Sequence, residues 1–294
     1  MPRPLTLALA LVTLACATPR AATPEVATPT APRARIVAMP SGETLSLDEL
    51  AERLLEARVV YVGEHHDRVV DHEAQRAIVE ALHARDAQIA IGLEMVQRPY
   101  QSALDEYVAR TIDEAALLEQ IDWSERWGFD FALYRPLFAL ARQHGLPLVA
   151  LNAPSELTRA VARGGLDALG ADQRALLPAE LDLESAPHRR MVEEALREHP
   201  GMTDAMLERY YAAQVVWDET MAETIAAFAA RSPAKLVVLA GVMHVSSGLG
   251  IPARAARRGV APHAIVLPIA ESELDEALRA DPPLADFLWV APDP

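Results

Sequence analysis

The sequence predicts an α/β fold: a mostly parallel central sheet with helices on both faces and a helical insertion layer over the carboxyl ends of the strands. From residue 46 onward, short β-branched runs alternate with stretches that repeat apolar residues at helical spacing. The apolar runs do not alternate with polar residues, as is typical of strands covered on both faces. Their β-α-β order implies parallel pairs joined by right-handed crossovers.

Each element is predicted from its own pattern and boundaries. Strands are expected at 58–63, 88–95, 147–152, 235–240 and 263–268, with a further edge strand at 286–290. Helices are expected at 46–57, 68–85, 131–144, 155–163 and 203–230. Pro99 opens another helix, Thr111 to Glu114 forms a capping box, and Gly145 is a helix stop. The helical stretches after the second and third strands exceed what a crossover requires, so they predict the inserted layer within a single domain.

The first 16 residues predict a lipoprotein signal peptide. Arg3 supplies a positive charge, Leu5 to Ala15 is an apolar stretch of secretory length, and Cys16 follows in a lipobox-like position. This stretch is too short to span a bilayer, which needs about 20 apolar residues. Cys16 is the only cysteine, so an internal disulfide is excluded, and lipidation is preferred over an accidental cysteine.

Residues 17–40 are predicted to be an extended tether and residues 41–294 the folded domain. The tether contains Ala-Thr-Pro three times, a composition that forms neither a helix nor a packed core. The formal charge is −15 and no basic stripe is present, so nucleic acid is not an expected partner. We expect an exported protein that is lipid-anchored in the cell envelope, at the outer membrane or facing the periplasm in a Gram-negative cell.

Four predicted strands end at polar side chains. Glu64 and His65 follow the first, Glu94 the second, Asn152 the third and His244 the fourth. Ligand sites in open parallel sheets lie beyond the carboxyl ends of the strands, so these side chains are expected to gather there. Glu64, His65, Glu94 and His244 could bind a divalent metal ion or move protons. Each alone is more often a cap or a solvated loop residue, and only their recurrence at one sheet edge favours a site.

Other motifs leave alternatives open. His72 could share a helix face with His65, seven residues earlier, or it could only pack at the helix surface. Tyr210, Gln214 and Asp218 form a polar stripe that is either the wet side of a helix or the lining of a pocket. The sequence contains no HExxH, GxxxxGK[ST], GxSxG or CxxC motif, which disfavours P-loop phosphoryl transfer, α/β-hydrolase chemistry and thiol redox chemistry.

An ordered set of short motifs, from about residue 40 to the C-terminus, is similar to a known family. The motifs are Gly63-Glu64-His65-His66-Asp67 with His72, Gly92-Leu93-Glu94-Met95 with Gln101, Trp127 with Tyr134-Arg135-Pro136, Leu151-Asn152-Ala153-Pro154, Gln214 with Asp218-Glu219-Thr220-Met221-Ala222, and Gly241-Val242-Met243-His244 with Gly250-Ile251-Pro252. Together they resemble the ChaN family of bacterial haem-binding lipoproteins.

The resemblance implies an α/β fold and a haem-binding role in iron acquisition at the cell envelope. ChaN proteins look like haem-linked dimers in which a tyrosine ligates iron, while histidine and lysine side chains of the partner subunit hold the propionates. The resemblance also implies a relation to the wider Tiki and erythromycin-esterase superfamily, in which hydrolase activity is proposed or shown for some members.

The resemblance suggests Tyr134 as the first candidate for the iron ligand, because it lies in the matching Trp-to-Tyr-Arg-Pro segment. Tyr210 and Tyr211 follow. A phenolate is a hard anionic ligand that suits ferric iron.

Propionates need cationic or hydrogen-bonding partners, for which His65 is a candidate. The sequence departs from the family at the lysine, because its single lysine, Lys235, begins a predicted strand away from the site edge. An arginine such as Arg98 or Arg135 would have to replace it.

The expected function is therefore an envelope-anchored, non-catalytic haem-binding lipoprotein for haem and iron uptake, with a ligand-linked homodimer as its expected assembly. The alternative is a metal-dependent hydrolase in which Glu64, His65, Glu94 and His244 bind the ion or activate water. The two functions do not exclude one another.

Overall fold

The folded domain begins earlier in the chain than predicted. The computed structural model describes residues 34–197 and 199–293, so the predicted signal peptide, Cys16 and most of the tether lie outside the described residues. Arg35–Ala38, placed by the sequence in the tether, form a strand whose Ile36, Val37 and Ala38 are buried. This short run pairs with the strand at Glu43–Leu45 on one side and with the distant strand at Phe287–Ala291 on the other, and the composition around it does not reveal the second partner. The domain therefore starts near residue 35 rather than at 41.

Strands and helices alternate along the described chain. The strands are β1 (Arg35–Ala38), β2 (Glu43–Leu45), β3 (Val59–Glu64), β4 (Ile89–Gln97), β5 (Leu148–Asn152), β6 (Lys235–Gly241), β7 (His263–Ala270) and β8 (Phe287–Ala291). The helices are α1 (Leu47–Leu54), α2 (Val69–His83), α3 (Gln101–Val108), α4 (Glu114–Gln120), α5 (Trp123–Arg126), α6 (Phe131–His144), α7 (Ser155–Gly164), α8 (Ala171–Arg174), α9 (Ala186–Arg197), α10 (Asp204–Arg231), α11 (Val242–Val245), α12 (Ile251–Arg257) and α13 (Leu274–Ala277). Within the described ranges, none of these helices combines the length and apolar character needed to cross a bilayer.

The strands form a mostly parallel sheet, which confirms the predicted fold class. Its order is β2-β1-β8-β7-β3-β6-β4-β5, and only β1 pairs antiparallel, with β2 on one side and β8 on the other. The predicted edge strand at 286–290 is observed as β8, but it lies between β7 and β1 rather than at an edge. The sequence of β8 shows that it is a strand and does not show which strands flank it. The central strands are β3, β6 and β4, whose carboxyl ends meet in the middle of one sheet edge.

Helices cover both faces of the sheet, as the apolar strand sequences predict. Val60 of β3 joins a core built with α1 to α6, whereas the next residue, Tyr61, joins a second core built with α10 and α12. This alternation follows from the two-residue repeat of a strand. Smaller clusters pack α7 and α9 against α10 and form the predicted inserted layer.

Local signals in the sequence set several helix boundaries. Ser46 caps α1 in a reciprocal capping box with Glu49, and the Thr203 side chain accepts a hydrogen bond from the Met206 backbone N–H at the start of α10. Gly145 ends α6 with a φ of 66°, a left-handed conformation that glycine adopts without strain. These ends fix where the long helices begin and stop beside the sheet.

Candidate functional site

The carboxyl ends of β3, β6 and β4 bring most of the predicted site residues together. Glu64 closes β3 and lies in register with Gly241 of β6. Glu94 follows Leu93, the last residue of β4 that pairs with β6, and a shift of register with β5 begins there. Asn152 of β5 donates from Nδ2 to the Glu94 carbonyl oxygen at 2.8 Å. Asn152 therefore supports the irregular segment that positions Glu94.

Glu64 is a buried carboxylate that accepts three hydrogen bonds. Its Oε1 accepts from the Tyr134 hydroxyl and from His66 Nδ1, each at 2.7 Å, and its Oε2 accepts from Gln75 Nε2 at 2.8 Å. A carboxylate can only accept, so His66 carries a proton on Nδ1 and leaves Nε2 for other partners. Burial disfavours the charged form of His66, but the Glu64 hydrogen bond and the Glu94 charge raise its pKa overall. Glu64 therefore orients His66 and makes its imidazole more basic.

His66, rather than the predicted His65, joins this cluster. His65 Nδ1 lies 2.8 Å from Oδ2 of the buried Asp71, which also accepts from the His65 backbone N–H, and Arg68 lies beside the pair. β3 ends at Glu64, and a turn closed by a hydrogen bond from the Arg68 N–H to the His65 carbonyl oxygen follows it, so the adjacent histidines meet different partners. The predicted grouping of His65 with the other strand-end residues is corrected accordingly. His72 Nε2 lies 3.1 Å from the His66 carbonyl oxygen, so His72 packs beneath the site. It does not share a helix face with His65, because α2 begins only at Val69.

His244 lies between two buried carboxylates. Its Nδ1 is 2.5 Å from Asp218 Oδ1, and its Nε2 is 3.3 Å from Glu94 Oε1. Burial alone would favour the neutral imidazole, but the charges of Glu94 and Asp218 outweigh it and raise the pKa of His244 to about 10. The same attraction lowers the pKa of both carboxyl groups against the effect of burial. His244 is therefore an imidazolium at neutral pH.

Two glycines make this packing possible. A Cβ on Gly241 would lie 3.0 Å from His66 Cε1 and 3.6 Å from Glu94 Oε2. The Gly241 N–H also donates to Glu94 Oε2 at 2.6 Å. A Cβ on Gly250 would lie 2.1 Å from the carbonyl oxygen of His244, so only glycine lets α12 begin against that residue.

The polar stripe on α10 contacts the site through His244. Asp218 is fully buried against His244, and the Gln214 amide nitrogen lies 3.0 Å from His244 Nδ1. Tyr210 is 38% exposed and lies one turn towards the start of the helix, on the same face. Gln214 and Asp218 therefore contact His244 without lining either cavity beside it, and Tyr210 marks the exposed outer end of the stripe.

The three candidate tyrosines occupy different environments. Tyr134 is 1% exposed, its hydroxyl donates to Glu64, and burial together with the Glu64 charge raises its pKa. Tyr211 is fully buried beneath the Arg189 guanidinium, 4.2 Å from its ring, and burial raises its pKa as well. Tyr210 is the exposed member of the three. Since iron ligation needs an accessible phenolate, the geometry favours Tyr210.

The candidate cations for propionates are engaged in other contacts. Arg98 pairs with Glu223 at 2.7 Å and Arg135 with Glu114 at 2.8 Å. Lys235 is buried at the first residue of β6, the opposite end of that strand from His244. Both arginines predicted to replace the family lysine are therefore already paired with carboxylates.

Two cavities meet at this edge of the sheet and share His65 and Val242 in their lining. The first, of about 360 Å³, is lined also by Glu64, His66, Asp67, Phe129, Gly241, Met243 and His244. The second, of about 310 Å³, is lined also by Ser246, Leu267, Pro268, Ile269, Glu273, Glu276, Ala277, Ala280 and Leu284. We call the two together the strand-end cleft: one half contains imidazoles and carboxylates, and the other half is mainly apolar.

The residues of the predicted metal site are arranged differently from a metal centre. Within residues 34–197 and 199–293, no group of three or more His, Cys, Asp or Glu side chains is placed to hold a metal ion. The predicted set was Glu64, His65, Glu94 and His244. Glu64 and Glu94 are instead paired with imidazoles, and His65 turns to Asp71. The predicted divalent metal site is corrected on this geometry.

Two further buried residues belong to the site and carry no sequence signal. Asp71 orients His65 from the first turn of α2. His188 of α9 lies 3.1 Å from the second oxygen of Asp218. His188 is distant in sequence from any strand end, and neither residue occurs in a recognisable spacing with its partner.

Comparisons with known proteins agree with this fold. The family model described as "Haem-binding uptake, Tiki superfamily, ChaN" matches residues 50–255. A solved structure titled as cofacial haem binding to ChaN of Campylobacter jejuni superposes with a TM-score of 0.70 and 18% identity, over 87% of this chain and 95% of that chain. A structure of an erythromycin esterase mutant in its open conformation gives a TM-score of 0.49 and 18% identity, over 80% of this chain and 77% of that chain. At 18% identity, the likeness to the Campylobacter jejuni structure shows the fold alone.

A curated plant protein is also related. The chain is 29% identical over 260 residues to the chloroplastic protein RETICULATA-RELATED 5 of Arabidopsis thaliana, which covers 82% of this chain and 35% of that protein. The chain thus spans about a third of the length of this relative.

Proposed function

Because the chain belongs to the haem-binding uptake (ChaN) family of the Tiki superfamily, we propose that it is a lipid-anchored haem-binding protein of the cell envelope that serves haem and iron uptake. The family match over residues 50–255 is the observation that carries the proposal. Lipidation of Cys16 would anchor the chain, and the predicted tether would give the domain reach from the membrane surface. Haem would be cargo, so the protein's task is to bind, orient and release it.

Residues of α10, of the strand-end cleft and of the turn after β3 together offer groups that suit haem. Tyr210 is exposed at the outer end of the α10 stripe and can offer a phenolate to ferric iron. The second cavity beside His65 is mainly apolar and suits part of the macrocycle. Arg68 lies within 3.3 Å of His65 Nδ1, so these two side chains together offer a cation and an N–H donor to a propionate. Arg68 would then take the place of the family lysine.

A haemin titration of the purified domain tests this proposal. The Tyr210→Phe variant should bind haemin at least about 10-fold more weakly, because it loses the iron ligand and keeps the ring. Tyr211→Phe and Tyr134→Phe are matched controls that should stay within about two-fold of the wild type. A wild-type protein without a saturable Soret change would defeat haem binding. A loss confined to Tyr134→Phe would place the ligand at Tyr134 instead.

The ligand-linked homodimer is tested by sedimentation with and without haemin. The mass should double as haemin is added, because the exposed Tyr210 lets iron be reached from outside the subunit. A monomer at saturating haemin would contradict this part of the proposal and leave haem binding intact.

The anchor is tested separately by fractionating cells that express the full chain. The wild type should be found with membranes, and Cys16→Ala should lose acylation. Equal fractionation of the two proteins would remove the lipoprotein part of the proposal.

We propose hydrolysis as a second candidate, because two imidazole–carboxylate pairs meet at Gly241 on the cleft. His66 Nε2 can take a proton from a water molecule whose oxygen bonds to an ester carbonyl carbon. The His244 imidazolium can stabilise the carbonyl oxygen as negative charge develops there. The bond to the alcohol then breaks, and the proton on His66 passes to the leaving oxygen. This assignment uses His66 in place of the predicted His65.

A panel of ester substrates tests the second candidate. His66→Gln and His244→Gln should each lower turnover by about 10²- to 10⁴-fold, the usual contribution of a positioned acid or base. His144→Gln, at the end of α6, is the matched control and should leave turnover unchanged. Absence of turnover in the wild type, or turnover equal in all variants, would sink this candidate.

A further inference from the structure

A buried chain of polar side chains leads from His244 into the inserted helical layer. Asp218 Oδ2 lies 3.1 Å from His188 Nε2, and His188 Nδ1 lies 3.1 Å from Arg254 Nη2. Asp218 and His188 are fully buried, and Arg254 is 1% exposed. This row of polar side chains therefore connects α11, α10, α9 and α12 behind the strand-end cleft.

The direction of every hydrogen bond in this chain follows from the chemistry of its two ends. A guanidinium can only donate, so His188 Nδ1 must accept from Arg254. His188 then carries its proton on Nε2, which faces Asp218 Oδ2 at the 3.1 Å distance of an ion pair rather than in an aligned hydrogen bond. A carboxylate can only accept, so Asp218 also receives a proton donated by Nδ1 of His244. With these placements, the ionised Asp218 carboxylate faces an imidazole N–H at each of its two oxygens.

Arg254 is itself held rigidly at the far end. Its Nη1 donates to the carbonyl oxygens of Leu249 and Gly250 at 2.9 and 3.2 Å, and its Nε lies 3.3 Å from the buried Glu219. Gly250 is also the residue whose missing side chain makes room for the His244 carbonyl. The start of α12 thus anchors the row of polar side chains at Arg254 and also packs against His244.

The other nitrogen of His244 is left with spare donor capacity. Its Nε2 is 3.3 Å from Glu94 Oε1, longer than the 2.7–2.9 Å of a charge-assisted hydrogen bond. Glu94 meanwhile accepts from Gly241 through its other oxygen at 2.6 Å. His244 lines the first cavity of the strand-end cleft, so this N–H is placed beside space for a ligand.

We propose that Asp218, backed by His188 and Arg254, is a positioning residue that holds His244 so that its Nε2–H binds an acceptor oxygen of the ligand in the strand-end cleft. The acceptor is a carboxylate or carbonyl oxygen, since both accept from an imidazolium. The effect on ligand binding rests on the proposed function, whereas the proton arrangement does not. Asp218 acts through His244 and does not touch the ligand itself.

The first test needs no substitution. In wild-type protein labelled with ¹⁵N-histidine, ring nitrogen shifts at pH 7 should show His188 neutral with its proton on Nε2, and His244 protonated on both nitrogens. Signals are assigned from His188→Gln and His244→Gln spectra. A proton on His188 Nδ1, or a neutral His244 at pH 7, would overturn the proposal. This readout stands even if the protein binds no haem and cleaves no ester.

The second test removes the positioning charge. Asp218→Asn should lower the pKa of His244 by more than one unit and weaken haemin binding, or ester turnover, by about 10- to 100-fold. Glu223→Gln is the matched control: it removes a carboxylate one turn along the same helix that pairs with Arg98. The control should leave the His244 titration unchanged. A His244 titration in Asp218→Asn equal to that of the wild type would overturn the proposal, and if this variant does not fold, the wild-type spectrum decides.

Discussion

The two edges of the central sheet both bury charged groups, and they neutralise them in different ways. At the carboxyl edge, Glu64 pairs with His66 and Glu94 with His244, and Glu64, His66 and His244 border a cavity. At the amino edge, the cations of Arg58 and Lys235 donate to backbone carbonyl oxygens at the end of α10 and in the segments that lead into β6 and β3. Those oxygens belong to Ala229, Ser232, Pro233 and Ala234 for Arg58, and to Leu55 and Ala57 for Lys235.

The two edges differ in the chemistry of the groups that pair with their buried charges. A backbone carbonyl neither gains nor loses a proton, so the cations of the amino edge only secure the chain. An imidazole paired with a carboxylate can exchange a proton, and its second nitrogen remains available. The amino edge is therefore expected to govern stability and the carboxyl edge to govern chemistry, and each substitution below tests that division.

The largest expected effect is at the amino edge. Lys235→Met should lower the free energy of unfolding by about 2–4 kcal/mol, because it removes a buried donor and leaves two carbonyl oxygens without their partner. Haemin affinity of the folded variant should stay within about two-fold. Urea denaturation and haemin titration measure the two quantities, with the half-exposed Arg53→Met as control. A parallel loss of affinity would break the division between the edges.

The next effect is the pH dependence of stability at the carboxyl edge. The folded pKa of His244 is about 10, above its ordinary 6.5. The contribution of the His244 charge to the free energy of unfolding is therefore complete below about pH 6.5 and is lost as the pH rises through about 10. We expect the free energy of unfolding to fall by about 1–3 kcal/mol between pH 7 and 10. Urea denaturation across that range should show a smaller fall in His244→Gln, and equal slopes in the two proteins would contradict the assignment.

Gly241→Ala should have a smaller effect on stability and a larger effect on function. The added Cβ would lie 3.0 Å from the His66 ring, so that ring must shift away from Glu94. We expect a cost of about 1 kcal/mol, the low end for overpacking, together with a clear loss of ester turnover. Gly145→Ala, at the end of α6, tests whether any strained glycine substitution has the same outcome. Equal turnover in Gly241→Ala and the wild type would show that the position of His66 is unimportant.

The smallest effect is expected at a surface pair. Arg135 pairs with Glu114 and is half-exposed, so Arg135→Ala should change stability by less than about 0.5 kcal/mol. Its haemin affinity should match the wild type, whereas Arg68→Ala should bind haemin more weakly. A larger loss in Arg135→Ala than in Arg68→Ala would return the propionate role to the arginine first predicted.

The sequence predicts the gathering of Glu64, Glu94 and His244, because parallel strands place their ends at one edge whatever the order of the strands. It cannot decide between His65 and His66, since both lie in the turn after β3, whose conformation the sequence does not specify. The role of Asp218 is accessible only as one of two alternatives, because a polar helix stripe looks the same whether it is wet or buried. His188 and β1 depend on packing between segments far apart in the chain.

Lysine occurs once in the 294 residues, and that lysine is buried at the amino edge of the sheet. Amine-reactive reagents therefore find no exposed side-chain amine on this domain. A haem-linked pair of subunits would escape detection by the common amine cross-linkers, and a negative result with them would carry no weight. Carboxylate-directed coupling, for which the acidic surface supplies many sites, is the suitable chemistry for trapping such an assembly.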